Sequence, residues 1–144
     1  MEYAHFNKNM KITYYFAALM LLFCTACSKN DKLFLLKQLQ LTHYEGADAA
    51  ADSLYLQLFQ SGSNTAVLTT ETYPSTQTLP AVYAVHPALP LPLYQQNYRV
   101  ELWGKKQGYI GSCEFDMDHY KIIFPLEIEA ESETIVVSLK GGWK

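Results

Sequence analysis

Apolar and polar residues alternate with a period of two in one short segment after another from Leu33 onward. Because a β-strand turns successive side chains to opposite faces, this alternation is typical of strands that bury one face. No helical pattern lasts for more than a turn or two in this part of the chain. The alternation therefore predicts an all-β domain over residues 33–144, with its clearest strands at residues 38–42, 54–59, 98–103 and 135–139.

Turn-forming residues separate these segments, at positions 46–48, 61–64, 73–75, 86–87, 104–108 and 130–133. Such regular spacing favours an antiparallel β-sandwich of about seven or eight strands, in which each of two sheets buries one face. The stretch between positions 48 and 52 is predicted to be a loop, since it stands alone between strands.

Two segments have the composition of sheet edges. Proline lacks the N–H that a central strand needs, so residues 87–94, with prolines at 87, 90 and 92, are predicted to form a crossing loop or an edge. Glutamates at alternate positions 127, 129, 131 and 133 predict the outer face of an edge strand, where charge opposes aggregation.

The first 26 residues have the composition of an export signal. Lys8 and Lys11 precede an uncharged run at residues 12–23, and small residues follow it. This run is too short to cross a bilayer as a helix, which takes roughly 20 apolar residues. Residues 1–26 are therefore predicted to be a signal helix that is cleaved during export.

The residues that end this segment, Thr25-Ala26-Cys27, resemble the lipobox of bacterial lipoproteins, with Cys24 where that family prefers Leu. The resemblance implies that Cys27 becomes the first residue and carries a thioether-linked diacylglycerol and an N-linked acyl chain. The partner it implies is a membrane, and the location is the cell envelope, lipid-anchored, at the outer membrane. Residues 27–32 are then the lipidated cysteine and a short tether.

The charge of the processed chain excludes some partners. Without Glu2, Lys8 and Lys11, nine Lys and Arg face thirteen Asp and Glu, a net charge of about −4. Nucleic acid binding depends on clustered basic residues that replace counterions, so no nucleic acid partner is expected. The same excess of acidic groups opposes electrostatic attraction to an anionic lipid surface.

The remaining reactive side chains are scattered. Cys113 is predicted to share a strand face with Tyr109, Gly111 and Phe115, and to be buried and unreactive. Histidines at 43, 86 and 119 are too far apart in sequence for a recognisable zinc motif. Neither a nucleophile turn nor a phosphate-binding glycine loop occurs. We therefore expect no cofactor, no metal and no catalytic residue.

Two segments carry a second resemblance. An Asp-bearing loop with Asp48 and Asp52 leads into a strand, and later a strand ending in Leu102-Trp103 leads through a loop into Ile110-Gly111 and Phe115. This arrangement resembles the C2 domain, a β-sandwich family known for calcium-dependent phospholipid binding. The resemblance implies a C2-like sandwich, with an Ig-like one as the alternative, and binding loops at one end.

The chain departs from the C2 pattern where calcium would bind. The family has acidic residues after the tryptophan, and this chain has Lys105 and Lys106. Calcium takes six to eight oxygen ligands, which Asp48 and Asp52 alone do not supply. The sequence therefore predicts calcium independence, with both aspartates as solvated loop residues.

Trp103 and Tyr109 flank the two lysines, and an aromatic group beside a cation makes a reasonable binding patch. Two lysines in a hairpin loop are equally compatible with ordinary solubilising surface. The candidate ligand-binding residues are therefore Asp48, Asp52, Trp103, Lys105, Lys106 and Tyr109.

The sequence favours a lipid-anchored, non-enzymatic interaction module whose partner is a protein or a glycan. The alternative is a structural subunit of a surface assembly, built on an Ig-like or transthyretin-like sandwich.

Overall fold

The computed structural model of the protein describes residues 28–46 and 51–144. The predicted signal segment, Cys27 and Asp48 lie outside these residues. The described part contains two short 3₁₀ turns, Lys29–Asp31 and Met117–His119, and no helix that is long and apolar enough to cross a bilayer. Its nine strands are β1 (Phe34–Tyr44), β2 (Ser53–Gln60), β3 (Ala66–Thr69), β4 (Tyr73–Pro74), β5 (Ala81–Leu91), β6 (Tyr98–Gly104), β7 (Gly108–Phe115), β8 (Glu127–Glu131) and β9 (Ile135–Trp143).

The strands form two antiparallel sheets. One has four strands in the order β5-β1-β9-β8, and the other has the order β3-β2-β6-β7 with β4 beside β2. The predicted all-β class and sandwich are confirmed. The count of nine exceeds the predicted seven or eight, because Tyr73 and Pro74, which the sequence indicates as a turn, also pair with Leu54 and Ser53.

The buried faces follow the alternation that the sequence predicts. In β2 the side chains of Leu54, Leu56 and Leu58 are at most 4% exposed, and those between them are only partly buried. Strands of the other sheet bury Leu39 and Leu139 completely. Fully burying one such side chain stabilises the fold by about 1.5–3 kcal/mol, so the apolar layer between the sheets holds the sandwich together.

The edges of the four-stranded sheet also follow the prediction. Its outer strands are β5, which contains Pro87 and Pro90, and β8, whose glutamates are exposed. The predicted turn at His86 and Pro87 is instead an irregularity within β5, where residues 85–88 lie opposite Lys37 alone. Proline fits this place because the ladder is already interrupted there.

The sandwich has two well-separated ends. Strand β1 runs from one to the other, and its 11 residues span roughly 35 Å. We call the end with residues 28–33, 92–97, 116–126 and 143–144 the base end. The top end comprises residues 45–46, 51–52, 105–107 and 132–134, where the Glu45 N–H donates to the Thr134 carbonyl at 2.8 Å.

Candidate binding surface

Asp52 organises the top end from the start of β2. Its side chain is 4% exposed, and its carboxylate accepts hydrogen bonds from three backbone N–H groups. The donors are Ser53 at 2.6 Å, Lys106 at 3.0 Å and Gln107 at 3.0 Å. Gly104 lies directly beneath, where an added Cβ would stand 2.2 Å from Asp52 Oδ2. The hairpin loop between β6 and β7 is therefore bonded to the loop that precedes β2.

The pKa of Asp52 reflects this setting. Burial by itself raises the pKa, but the N–H groups of Gln107, Lys106 and Ser53 and the positive charge of Lys106 lower it by more. The net direction is below the usual 3.8. The prediction that Asp52 is a solvated loop residue is therefore wrong, because the side chain is buried and two of its three donors, Lys106 and Gln107, follow it by more than fifty residues in the chain.

The chemistry around Asp52 is unlike that of a cation site. Both carboxylate oxygens accept from N–H donors, and the Lys106 ammonium lies close by, donating to the Ala51 carbonyl at 2.9 Å. A bound cation would compete with those donors for the same lone pairs and would be repelled by the ammonium. Over residues 28–46 and 51–144, no group of three or more metal-ligating side chains occurs.

Three aromatic residues form a row across the outer face of the five-stranded sheet. Tyr55 of β2 lies opposite Trp103 of β6, which lies opposite Tyr109 of β7. The rings of Trp103 and Tyr109 meet edge to face, with centroids 5.6 Å apart. Tyr109 is 52% exposed, and the other two are partly exposed. We call these three residues the aromatic row.

Tyr109 lies on the opposite face from the one predicted. The register changes from Leu102 opposite Gly111 to Trp103 opposite Tyr109, so Ile110 is an extra residue. Such a bulge reverses the alternation, which turns Tyr109 outward. Cys113 does keep its predicted place in the core, where burial raises the pKa of its thiol to about 12. The thiol is therefore protonated and unreactive at neutral pH.

Polar neighbours hold the aromatic row in place. Glu101 accepts from Trp103 Nε1 at 2.9 Å and from Arg99 Nε at 2.8 Å. The Arg99 guanidinium lies over the ring of Phe59, 5.0 Å from its centroid. The Tyr109 hydroxyl donates to Ser112 Oγ at 2.9 Å. These contacts fix the orientation of two of the three rings before any ligand arrives.

Lys105 connects the row to a shallow groove of about 320 Å³. The groove lies on the outer face of the same sheet, and its other lining residues are Tyr55, Gln57, Thr69, Thr70 and Thr72. Rings, amides, hydroxyls and one ammonium suit a ligand that presents both apolar faces and hydrogen-bonding groups. A sugar ring and a protein loop both meet that description.

The structure therefore brings together Asp52, Trp103, Lys105, Lys106 and Tyr109 of the six candidate residues. The lysines are exposed at the tip of the hairpin loop. Sequence reasoning missed Tyr55 and Glu101, which the register places beside Trp103. The strand alternation does indicate that Glu101 shares a face with Trp103, since residues on one face recur at every second position. Placing Tyr55 next to Trp103 also requires knowing that β2 pairs with β6.

A second concavity lies between the open edges of the two sheets. This cleft of about 270 Å³ is lined by Glu71, Tyr73, Tyr83 and His86, among others. Burial raises the pKa of Tyr83 to about 12, with smaller contributions from neighbouring tyrosines. Of the three histidines considered above, only His86 lines the cleft. His43 lies beside Glu45 in the first strand and its loop, and His119 beside Asp116.

Comparison of the chain with protein-family models, with curated proteins and with solved structures finds no match.

Proposed function

We propose that this chain is a lipid-anchored lipoprotein of the cell envelope, held at the outer membrane, whose domain is a non-enzymatic and calcium-independent interaction module. Its binding surface is the aromatic row with Lys105, and its ligand is a protein or a glycan. The observation that carries the proposal is the aromatic row itself, which is partly exposed on the outer face of the five-stranded sheet, with Trp103 held by Glu101.

The physical argument rests on preorganisation. Aromatic side chains supply a large contact area and have only two rotatable angles, so little entropy is lost when they bind. Here the rings of Trp103 and Tyr109 are already fixed by hydrogen bonds to Glu101 and Ser112. Lys105 adds a charge at the edge of the patch, where it contributes to partner selection more than to affinity.

The lipid anchor is proposed from the sequence, and the position of Ser28 indicates which end of the domain would lie at the membrane. Residues 28–33 lie at the base end, whereas Lys105 and Lys106 lie at the top end. A lipid on Cys27 would therefore hold the base end at the membrane and direct the loop of lysines away from it.

We also propose that the sandwich is C2-like. The loop before β2 and the hairpin loop after β6, which carry that resemblance in the sequence, meet at the top end through Asp52. Calcium independence draws its support from the same contact, since the carboxylate already has N–H partners. The proposed C2 likeness and the proposed calcium independence thus rest on one pair of loops.

The alternative, a subunit of a surface assembly joined by strand exchange, has less support. The outer strands of the four-stranded sheet carry prolines in β5 and exposed glutamates in β8. Both features discourage the addition of another strand.

The anchor is tested by the intact mass of the chain extracted from membranes of cells that express the full sequence. We expect a polypeptide beginning at Cys27 with a glyceryl thioether and acyl chains. Cys27→Ser should abolish these groups, whereas Cys113→Ser, at the buried thiol, should leave them in place. An unmodified thiol at Cys27, or a retained Met1, would contradict the proposal.

The binding surface is tested by photo-crosslinking in intact cells. A photoreactive phenylalanine analogue replaces Tyr109 in one variant and Val82 in another; Val82 is 40% exposed on the other sheet. We expect an adduct only from position 109, lost on Trp103→Ala and unchanged by a calcium chelator. Protease or glycosidase digestion of the adduct identifies the class of partner. Equal adducts from both positions, or saturable calcium binding in calorimetry, would refute the assignment.

A further inference from the structure

A strongly apolar loop projects from the base end. In residues 121–126, which we call the isoleucine loop, the side chains of Ile122, Ile123 and Leu126 are each 68% exposed, and Phe124 is 36% exposed. Single exposed apolar side chains are common in proteins, but a contiguous exposed group marks a contact surface for a partner or a membrane.

The loop is held in this conformation. Phe124 has a φ of 60°, in the left-handed region that bulky residues rarely adopt. Its N–H donates to the Tyr94 hydroxyl at 3.2 Å, and its ring lies 5.2 Å from that of Trp143. Trp143 Nε1 donates to the Pro125 carbonyl at 2.8 Å. Strained backbone of this kind persists where surrounding contacts enforce it, and it clusters at functional sites.

The loop lies beside the point where the chain reaches the domain from Cys27. The Lys29 ammonium is 5.2 Å from the ring centroid of Tyr94. The same Tyr94 ring lies 5.8 Å from the ring of Phe124, next to Ile123 in the chain. Ser28, to which Cys27 is bonded, precedes Lys29 directly, so an acyl group on Cys27 would emerge at the same end of the sandwich as the exposed isoleucines.

We propose that the isoleucine loop inserts into the lipid surface that holds the acyl chains of Cys27, as a second and non-covalent membrane contact. This inference rests on the lipid anchor proposed above. A bilayer is the occupant because the anchor keeps this end of the domain next to one continuously. Two points of contact, the acyl chains and the loop, would fix the tilt of the domain and keep the top end directed outward.

Charge indicates which lipids the loop accepts. In the described residues of the base end, four lysines face three acidic residues, namely Lys29, Lys32, Lys121 and Lys144 against Asp31, Asp116 and Asp118, and the adjacent Glu127 pairs with Lys140 at 3.3 Å. Four lysines less three acidic residues leave a net charge of only +1 here. Insertion therefore depends mainly on apolar contact, which places side chains about 5–10 Å into the boundary between headgroups and acyl chains. Uncharged lipids should therefore suffice, and added salt should change little.

The test uses the full chain, processed in cells, extracted in detergent and reconstituted into phosphatidylcholine vesicles with or without bromine on the acyl chains. Trp103→Phe and Trp143→Phe remove the two native tryptophans, and Ile123→Trp introduces a reporter in the loop. The matched control is Tyr109→Trp, in the aromatic row on the outer face of the five-stranded sheet. We expect the emission of the loop reporter to shift to shorter wavelength and to be lost in brominated vesicles. The control should show neither change.

A second measurement retains Trp143 in case its replacement disturbs the loop. Ile123→Cys carries a spin label, and the buried, protonated Cys113 stays unlabelled. Greater collision with oxygen than with a water-soluble nickel complex supports insertion. A label that collides mainly with the nickel complex, or a disulfide-linked dimer through position 123, overturns the proposal, the dimer by identifying a second copy as the occupant.

Intact mass and vesicle flotation separate this inference from the anchor. An acylated chain that floats while its loop reporter stays unquenched overturns the loop contact alone. Equal quenching at positions 123 and 109 also overturns it, because the domain would then lie flat. A chain without acyl groups that fails to float overturns the anchor and the loop contact together.

Discussion

The two ends of the sandwich are held together by different kinds of contact. At the top end one carboxylate, Asp52, receives backbone N–H groups from the hairpin loop. At the base end the ring of Trp143 packs against Phe34, Tyr94 and Phe124, with centroids between 5.1 and 5.2 Å apart. One end is braced by hydrogen bonds to a charge, and the other by a cluster of packed rings, of which Tyr94 and Trp143 are stacked.

This difference follows what each end presents to its surroundings. The top end exposes Lys105 and Lys106 and buries the carboxylate of Asp52, whereas the base end exposes isoleucines on a framework of aromatic rings. A loop that displays charge is surrounded by water, so its bracing contacts must withstand competition from water. A buried carboxylate with several hydrogen bonds provides such contacts. A loop that displays apolar groups can share the ring cluster beneath it.

The largest expected effect separates the two tryptophans. Trp143→Ala removes the ring that joins Phe34, Tyr94 and Phe124, and should lower the free energy of unfolding by about 3 kcal/mol. Trp103→Ala removes a ring on the outer face of a sheet and should cost about 1 kcal/mol. Urea unfolding followed by circular dichroism measures both. Equal losses would show that ring packing does not distinguish the ends.

A smaller effect is expected from glycines. An added Cβ at Gly141 would stand 2.0 Å from the Leu35 carbonyl oxygen, which is backbone and cannot turn away. Gly141→Ala should therefore cost about 1–3 kcal/mol. The neighbouring Gly142 has open space, so Gly142→Ala should stay within about 0.5 kcal/mol of the parent protein. Gly104→Ala meets the side chain of Asp52 and should cost less than Gly141→Ala. Thermal unfolding measures these losses of stability. A larger loss for Gly104→Ala than for Gly141→Ala would place the tighter packing at the top end.

The smallest effect is a dependence on pH at the top end. Because the pKa of Asp52 is below its usual 3.8 in the folded protein, its stabilising contribution is present above that value and disappears as the pH falls through the folded pKa. Between about pH 6 and about pH 3, the parent protein should thus lose more stability than Asp52→Asn. Asp118→Asn, at an exposed position, should behave like the parent. Identical pH profiles for all three proteins would argue against the bracing role.

The sequence alone predicted the sheets well and the loops poorly. Alternating leucines in β2 and prolines in β5 depend on one strand and its own faces, and both predictions are confirmed. The burial of Asp52 depends on N–H groups of residues 106 and 107, which no local pattern connects to it. Tyr109 was placed on the wrong face because a single extra residue, Ile110, reverses a period of two.

The isoleucine loop also shows that a local sequence pattern does not determine which side chains are exposed. Its apolar residues are visible in the sequence between two strand segments, where a buried position is the simpler expectation. Only the fold shows that β8 begins after them and that Tyr94 and Trp143 lie beneath the loop. Composition indicates which residues are apolar, but exposure depends on which neighbours cover them.

Leu33 and Lys144 exchange backbone hydrogen bonds of 3.1 and 2.9 Å, so the described chain begins and finishes at one spot on the base end. A fluorescent protein or affinity tag appended after Lys144 would therefore emerge next to Leu33, roughly one strand length from the hairpin loop of Lys105 and Lys106. Such a fusion leaves the aromatic row open for ligand capture while crowding the isoleucines. Reporters meant to spare the isoleucine loop belong instead in the turn between β8 and β9.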